Sequence, residues 1–259
     1  MSSDAGAGER RGLPQGGGVG RALPAQLRVE LLLLLRQPEN LLVILVLPVA
    51  LLVFFAGIKA VPAARGRPIE FLVPGILTLA LMSTGMVTLG ISTAYQRYYR
   101  VLKRLGGTPL SRGTLVAAKA ASVLLVELGQ VGLLLLIAGV GFHWTSAGSW
   151  WLVVPLLLLG SFTFAAIGLT MAGALRAELT LGGANGLYIL LLVLGGIALP
   201  IQQLPSAIQP LARALPAAAI SSSLRAVMEG HPLPVFSVAL AVAWALVSGV
   251  AAVTLFRWE

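Results

Sequence analysis

The sequence predicts an all-α, polytopic membrane protein with six transmembrane helices, an N-terminal amphipathic interfacial helix, and re-entrant helices before the last span. Three observations carry this prediction. Hydrophobic residues make up 58% of the 259 positions and charged residues 10%, with a mean hydropathy of +0.93; soluble domains carry about 25% charged residues. Apolar runs long enough to cross a bilayer, about 20 residues each, recur along the chain. The basic residues behind the net charge of +9 occupy short segments between those runs, where membrane proteins keep their cytosolic anchors. Lipid and topology therefore account for the charge, and nucleic acid is not an expected partner. With no cysteine in the chain, disulfides, thiolate metal sites and cysteine nucleophiles are excluded.

Residues 1–20 are rich in Gly, Ser and Arg and nearly devoid of large apolar side chains, so they read as a disordered tail; residues 21–259 read as one compact membrane domain. From Leu23 to Arg36, Leu27, Leu31, Leu34 and Leu35 recur at helical spacing beside Arg21, Arg28, Glu30 and Arg36, the pattern of an amphipathic helix lying on the membrane surface. The first span, Leu41 to Ile58, is uncharged and too long and too far from the start for a cleaved signal peptide. The second runs from about Ile69 to Ala94, and the third from Leu115 to Val140 with Lys119 placed to snorkel to the interface. The fourth covers Trp150 to Leu175, the fifth Leu181 to Leu199, and the sixth Val235 to Phe256. Trp144, Trp150, Trp151 and Trp258 fall near span ends, as interfacial aromatics do; Trp244, in mid-span, does not.

Orientation follows from charge asymmetry. With the N-terminus cytosolic, the inner segments hold Arg10, Arg11, Arg21, Arg28, Arg36, Arg97, Arg100, Lys103, Arg104, Arg112, Lys119, Arg176 and Arg257, leaving Lys59, Arg65, Arg67, Arg213 and Arg225 outside. Both termini are then cytosolic.

Between the second and third spans, Tyr98, Val101, Leu102 and Leu105 share one helical face and Arg97, Arg100 and Arg104 another, before Gly106, Gly107, Thr108 and Pro109 end the helix. This cytosolic helix reads either as a lipid-surface anchor or as a docking element for a partner. Pro200, Pro205, Pro210, Pro216, Pro232 and Pro234 break any continuous helix after the fifth span. That leaves an ordinary external loop, or re-entrant half-helices covered by protein or a water-filled cavity. Glu127 is the acid well inside a span, with Gln130 one turn on. A carboxylate unpaired in hydrocarbon costs about 2.5–3.5 kcal/mol, so Glu127 marks a substrate path, a subunit interface or a hydrogen-bonded site within the bundle. Gly182 with Gly186, and Ala241, Ala245 with Gly249, are small-residue pairs for helix packing, within the subunit or between subunits. His143 and His231 read as loop histidines without metal-ligand companions.

The stretch from Leu102 to Lys119, with Arg104, Leu105, Gly106, Gly107, Thr108, Pro109, Leu110, Ser111 and Arg112 at its core, resembles the cytosolic loop of type-2 ATP-binding-cassette permeases, the drug, lipid and polysaccharide exporters. Gly196, Pro200, Leu204, Pro205, Pro216, Leu224, Arg225 and Gly230 resemble that family's pattern after the fifth span, where short helices re-enter from outside. The chain departs from the pattern at Gln96, Tyr98, Tyr99 and Lys103, where relatives often carry glutamates before the Thr-Pro turn. The resemblance implies a permease subunit that works as a dimer with two ATPases. Tyr98, Arg100, Leu102, Lys103, Arg104, Leu105, Thr108 and Pro109 would couple to the ATPase, and Pro200, Pro205, Pro216 and Arg225 would shape the re-entrant segment. The chain has no GxxxxGK[ST] loop, so it is expected to bind no cofactor itself and ATP and Mg would belong to the partner. A hydrophobic drug-like molecule or lipid is the expected cargo, with a polysaccharide or glycolipid as the variant. An ion-coupled secondary transporter would lean on Glu127, and an intramembrane hydrolase would need a serine paired with a histidine or lysine inside the spans, for which neither His143 nor His231 is placed.

Overall fold

The structure is a computed structural model that describes residues 19–36, 38–57, 68–102 and 112–255. Among these the secondary structure is helical throughout: α1 (Val19–Leu35), α2 (Pro38–Gly57), α3 (Pro68–Leu81), a π-helical segment (Met82–Thr88), α4 (Leu89–Tyr98), α5 (Arg112–Phe142), α6 (Trp150–Ala174), α7 (Ala177–Leu194), α8 (Gln209–Ala214), α9 (Pro216–Met228) and α10 (Val235–Leu255).

Five helices are long and apolar enough to cross a membrane: Pro68–Tyr98, Gly113–Phe142, Trp150–Ala174, Ala177–Leu194 and Val235–Leu255. These are the expected second to sixth spans. The expected first span coincides with α2, whose apolar stretch Ile44–Gly57 is shorter. The expected tail lies outside the described residues up to residue 18, as do Lys59, Arg65, Arg67, Arg257 and Trp258.

The helix formed by α3, the π segment and α4 is the axis of the bundle. It runs 31 residues and is the most buried of the five spans, and Leu72, Leu77, Leu79, Ala80, Leu81, Met82 and Met86 along it form the main apolar core with Phe164, Ile197, Ile220 and Leu224. At 1.5 Å per residue it is about 46 Å long, beyond a hydrocarbon core of about 30 Å. Of the amphipathic stretch expected from Tyr95 to Leu105, Tyr95–Tyr98 is the end of this helix, Val101 and Leu102 are helical past a turn, and residues 103–105 lie outside the described residues. The helix stops at Tyr98, and Arg100 turns the chain with φ 58°.

The most extensive helix contact is α6 against α10. There Ala241 and Ala245 are buried, and a Cβ at Gly249 would meet the Phe162 ring at 3.1 Å, so this small-residue stripe packs within the subunit. Gly182 and Gly186 face open space instead. α9 is wedged against α3, α6 and α10. Pro216 opens it after an extended Leu215, the position where a missing N–H costs nothing. Pro200 precedes the 3-10 turn Ile201–Gln203, and the Pro205 carbonyl accepts from Ile208 N at 2.9 Å just before α8. Trp244 finds its reason here: its indole N–H donates to the Ala214 carbonyl at 2.9 Å, closing the end of α8 against the middle of α10.

Candidate functional site

The π segment determines the site. A π turn spaces its hydrogen bonds five residues apart, and the Thr88 hydroxyl follows the same spacing, donating to the Ser83 carbonyl at 3.1 Å. α6 crosses at backbone distance: a Cβ at Gly168 would lie 2.7 Å from both the Gly85 and Met86 carbonyl oxygens, and one at Gly85 would lie 3.0 Å from Ala165 N. On the other side, Gln130 of α5 accepts from the Thr84 hydroxyl at 3.0 Å and donates to the Ile44 carbonyl at 2.7 Å. One buried amide thus ties α2, the π segment and α5 together.

Beside this clamp lies a groove of about 450 Å³ lined by Ile44, Ser83, Val87, Thr88, Ile91, Ser92, Tyr95, Gln96, Tyr99 and Val101. Its lining is apolar surface interrupted by hydroxyls and one amide. No charged side chain lines it among the described residues, so it suits uncharged or amphiphilic molecules and disfavours a bare ion. Sequence reasoning missed it, although its hydroxyl residues Ser83, Thr88 and Ser92 stand five and four residues apart in an apolar run, a spacing that only the wide π turn brings onto one face.

At the projecting end, Tyr95, Tyr98 and Tyr99 form an aromatic cluster with ring centroids 5.2 to 6.5 Å apart. Tyr98 and Tyr99 are 60% and 66% exposed, and Arg100 is exposed beside them. Leu102 is different: it is fully buried in a cluster with Leu89, Leu115, Val123, Ala165 and Leu169, so its side chain serves the chain's own core and not an outward surface. Lys103, Arg104, Leu105, Thr108 and Pro109 lie outside the described residues. Arg97, expected on the outward polar face, instead donates to the Gly173 and Leu175 carbonyls and so caps the C-terminus of α6.

Lys119 does not snorkel. Its ammonium is buried, donating to Glu30 Oε2 at 3.0 Å and to Gln96 Oε1 at 2.7 Å, while Gln26 donates to Glu30 Oε1 at 3.0 Å. A salt bridge with side chains 1% and 8% exposed therefore joins α1 to α5, and Gln96 extends it to the groove wall. α1 packs along α5 through this contact, leaving Val29, Leu32, Leu33 and Leu35 exposed.

Glu127 is buried and lines a second cavity, of about 220 Å³, between α5 and α6. The Ser161 hydroxyl approaches it from α6, yet neither carboxyl oxygen has a hydrogen-bonding partner of good geometry. Toward the other end of the bundle, Arg225 donates to the Gly196 carbonyl at 3.0 Å and stacks on Phe71 at 3.9 Å. Ser221 donates to the Gly195 carbonyl at 2.9 Å. These bonds hold the break after α7, where Gly196 takes a φ of +66° open to glycine at little cost.

Span-length apolar helices packed around a central helix with an uncharged groove have the build of a membrane transporter. The chain matches the ABC-2 type transporter family over residues 22–228 and belongs to that family, one of transporters and not of catalytic enzymes. It is similar to the protein named "Putative transport permease YvfS" of Bacillus subtilis (strain 168), 26% identical over 204 residues, covering 75% of this chain and 80% of the relative.

Proposed function

We propose that this chain is the permease subunit of an ATP-binding-cassette exporter of a bacterial cytoplasmic membrane, moving a hydrophobic drug-like molecule or lipid outward. The observation that carries this is the groove along α4 and the π segment, apolar and hydroxylated without a charge among its described lining residues. α2 counts as the first of six spans, and the end bearing Tyr98 and Arg100 faces the cytosol together with both termini. The Trp244 bond to Ala214 supports a segment after α7 that re-enters the membrane, since Trp244 lies midway along α10.

In this reading ATP and Mg stay on a separate ATPase that docks on the exposed Tyr98, Tyr99 and Arg100, two permease subunits assemble with two ATPases, and ATP-driven closure alternates access to the groove. Reconstitution with the ATPase encoded beside it should give ATP-dependent export of a hydrophobic dye from vesicles. Ile91→Trp, which fills the groove, should lower export about tenfold or more while the ATPase stays bound. Dye moving down an ion gradient with no ATPase present, or export indifferent to Ile91→Trp, would refute the proposal.

A further inference from the structure

We infer that the cleft between α5 and α6 is a binding site for a lipophilic ammonium ion that arrives from the bilayer, with Glu127 as its counter-charge. Glu127 is 1% exposed, and its side chain forms part of the cavity wall. It stands about 22 Å along a helix of about 46 Å, midway between its ends. Gly85 leaves room for the carboxyl on the inner side: a Cβ there would come within 3.3 Å of Oε1. Both carboxyl oxygens are shielded and make no hydrogen bond of good geometry, although the Ser161 hydroxyl, which lines the same cleft, approaches them.

The described residues supply no cation for them. Among the described residues no other charged side chain lines the cavity. Lys119, about two turns away on the same helix, is committed to Glu30 and Gln96. A carboxyl left in hydrocarbon gains from a ligand bringing its own positive charge and N–H donors.

The remaining walls, among them Leu81, Val131, Leu135 and Leu157, ask for an apolar body on that ligand. The cleft extends about 16 Å along α6 from Ser161 to Trp150, so the body lies along the membrane normal with the ammonium at the deep end. Leu128, Val154 and Leu158 rim it and are exposed on the bundle surface, which opens the site sideways to lipid. An anion or a sugar finds neither a positive charge nor a row of donors here.

The site rests on the transport reading only for the steps after binding, so binding and export are measured separately. The full chain in lipid nanodiscs is titrated with tritiated 2-phenylethylammonium and with 2-phenylethanol, which keeps the apolar body and drops the charge. The ammonium should bind at least about tenfold more tightly than the alcohol. Glu127→Gln should remove that preference and leave alcohol binding intact, which also shows that the variant folds. Val154→Trp, filling the cleft, should weaken both ligands. Equal binding of ammonium and alcohol to the unaltered chain, or a preference that survives Glu127→Gln, overturns the site even if dye export continues. Selective binding that Glu127→Gln abolishes upholds the site even if the chain exports nothing with its ATPase, the result that would sink only the transport reading.

Discussion

Lys119 and Glu30 show how a polar residue changes meaning with its surroundings. On sequence grounds a lysine near a span end belongs in the headgroups, and Glu30 on an amphipathic helix belongs in water. The structure turns them toward each other and buries both. Such a pair contributes little net stability over an apolar one, but removing one partner strands the other charge, at a cost of about 3–5 kcal/mol. Lys119→Met alone should therefore lower the melting temperature of the detergent-solubilised protein sharply, and Glu30→Gln with Lys119→Met should recover most of the loss. Equal melting temperatures for the single and double variants would place the bridge in solvent. Gln130 carries a similar lesson. Its two partners, Ile44 and Thr84, lie far from it in sequence, so spacing along α5 could announce a polar residue in a span but not the bonds it makes.

Among the elements, the five long spans were legible because each is an unbroken apolar run bounded by charge, glycine or proline. The π segment was not, because its wide turn depends on a neighbour: α6 crosses it with Gly168 at the contact. Gly168→Ala would set a methyl 2.7 Å from two carbonyl oxygens and force the helices apart, costing about 1–3 kcal/mol. Gly129→Ala on α5 meets nothing within 4 Å and should be neutral, or stabilising by up to about 1 kcal/mol through helix propensity. Thermal melts of the two variants side by side test the crossing, and equal effects would mean that it is loose. The amphipathic stretch after the second span begins within the central helix, at Tyr95–Tyr98, and Val101 and Leu102 are helical again beyond the turn at Arg100. Periodicity shows that a face is apolar without showing what covers it, and Leu102 is covered by Leu115, Val123 and Leu169.

For the whole molecule, that distinction separates residues that hold the permease together from residues that would meet the proposed ATPase. Leu102→Ala should cost about 2–5 kcal/mol of stability and leave ATPase retention in a detergent pull-down unchanged. Tyr98→Ala with Tyr99→Ala should release the ATPase and leave the melt unchanged, since both rings are exposed. Arg100→Glu should weaken retention most at low salt, where exposed charges are least screened. Full retention by all three variants would remove this end from the docking surface. The groove escaped the sequence reading at this scale too, because it exists only where α2 and the central helix stand side by side.

In the proposed transport cycle the central helix is also a mechanical part. A rod of 31 residues hands a push at Tyr98 to its far end at Pro68 unless something along it yields. The compliant place is the wide turn at Met82–Thr88, and there the protein has fitted a brace on each side, the α6 backbone at Gly168 and the Gln130 amide. Under the proposed mechanism, stiffness at mid-rod would decide whether a stroke delivered at one face of the membrane is spent bending the helix or is felt at the other face.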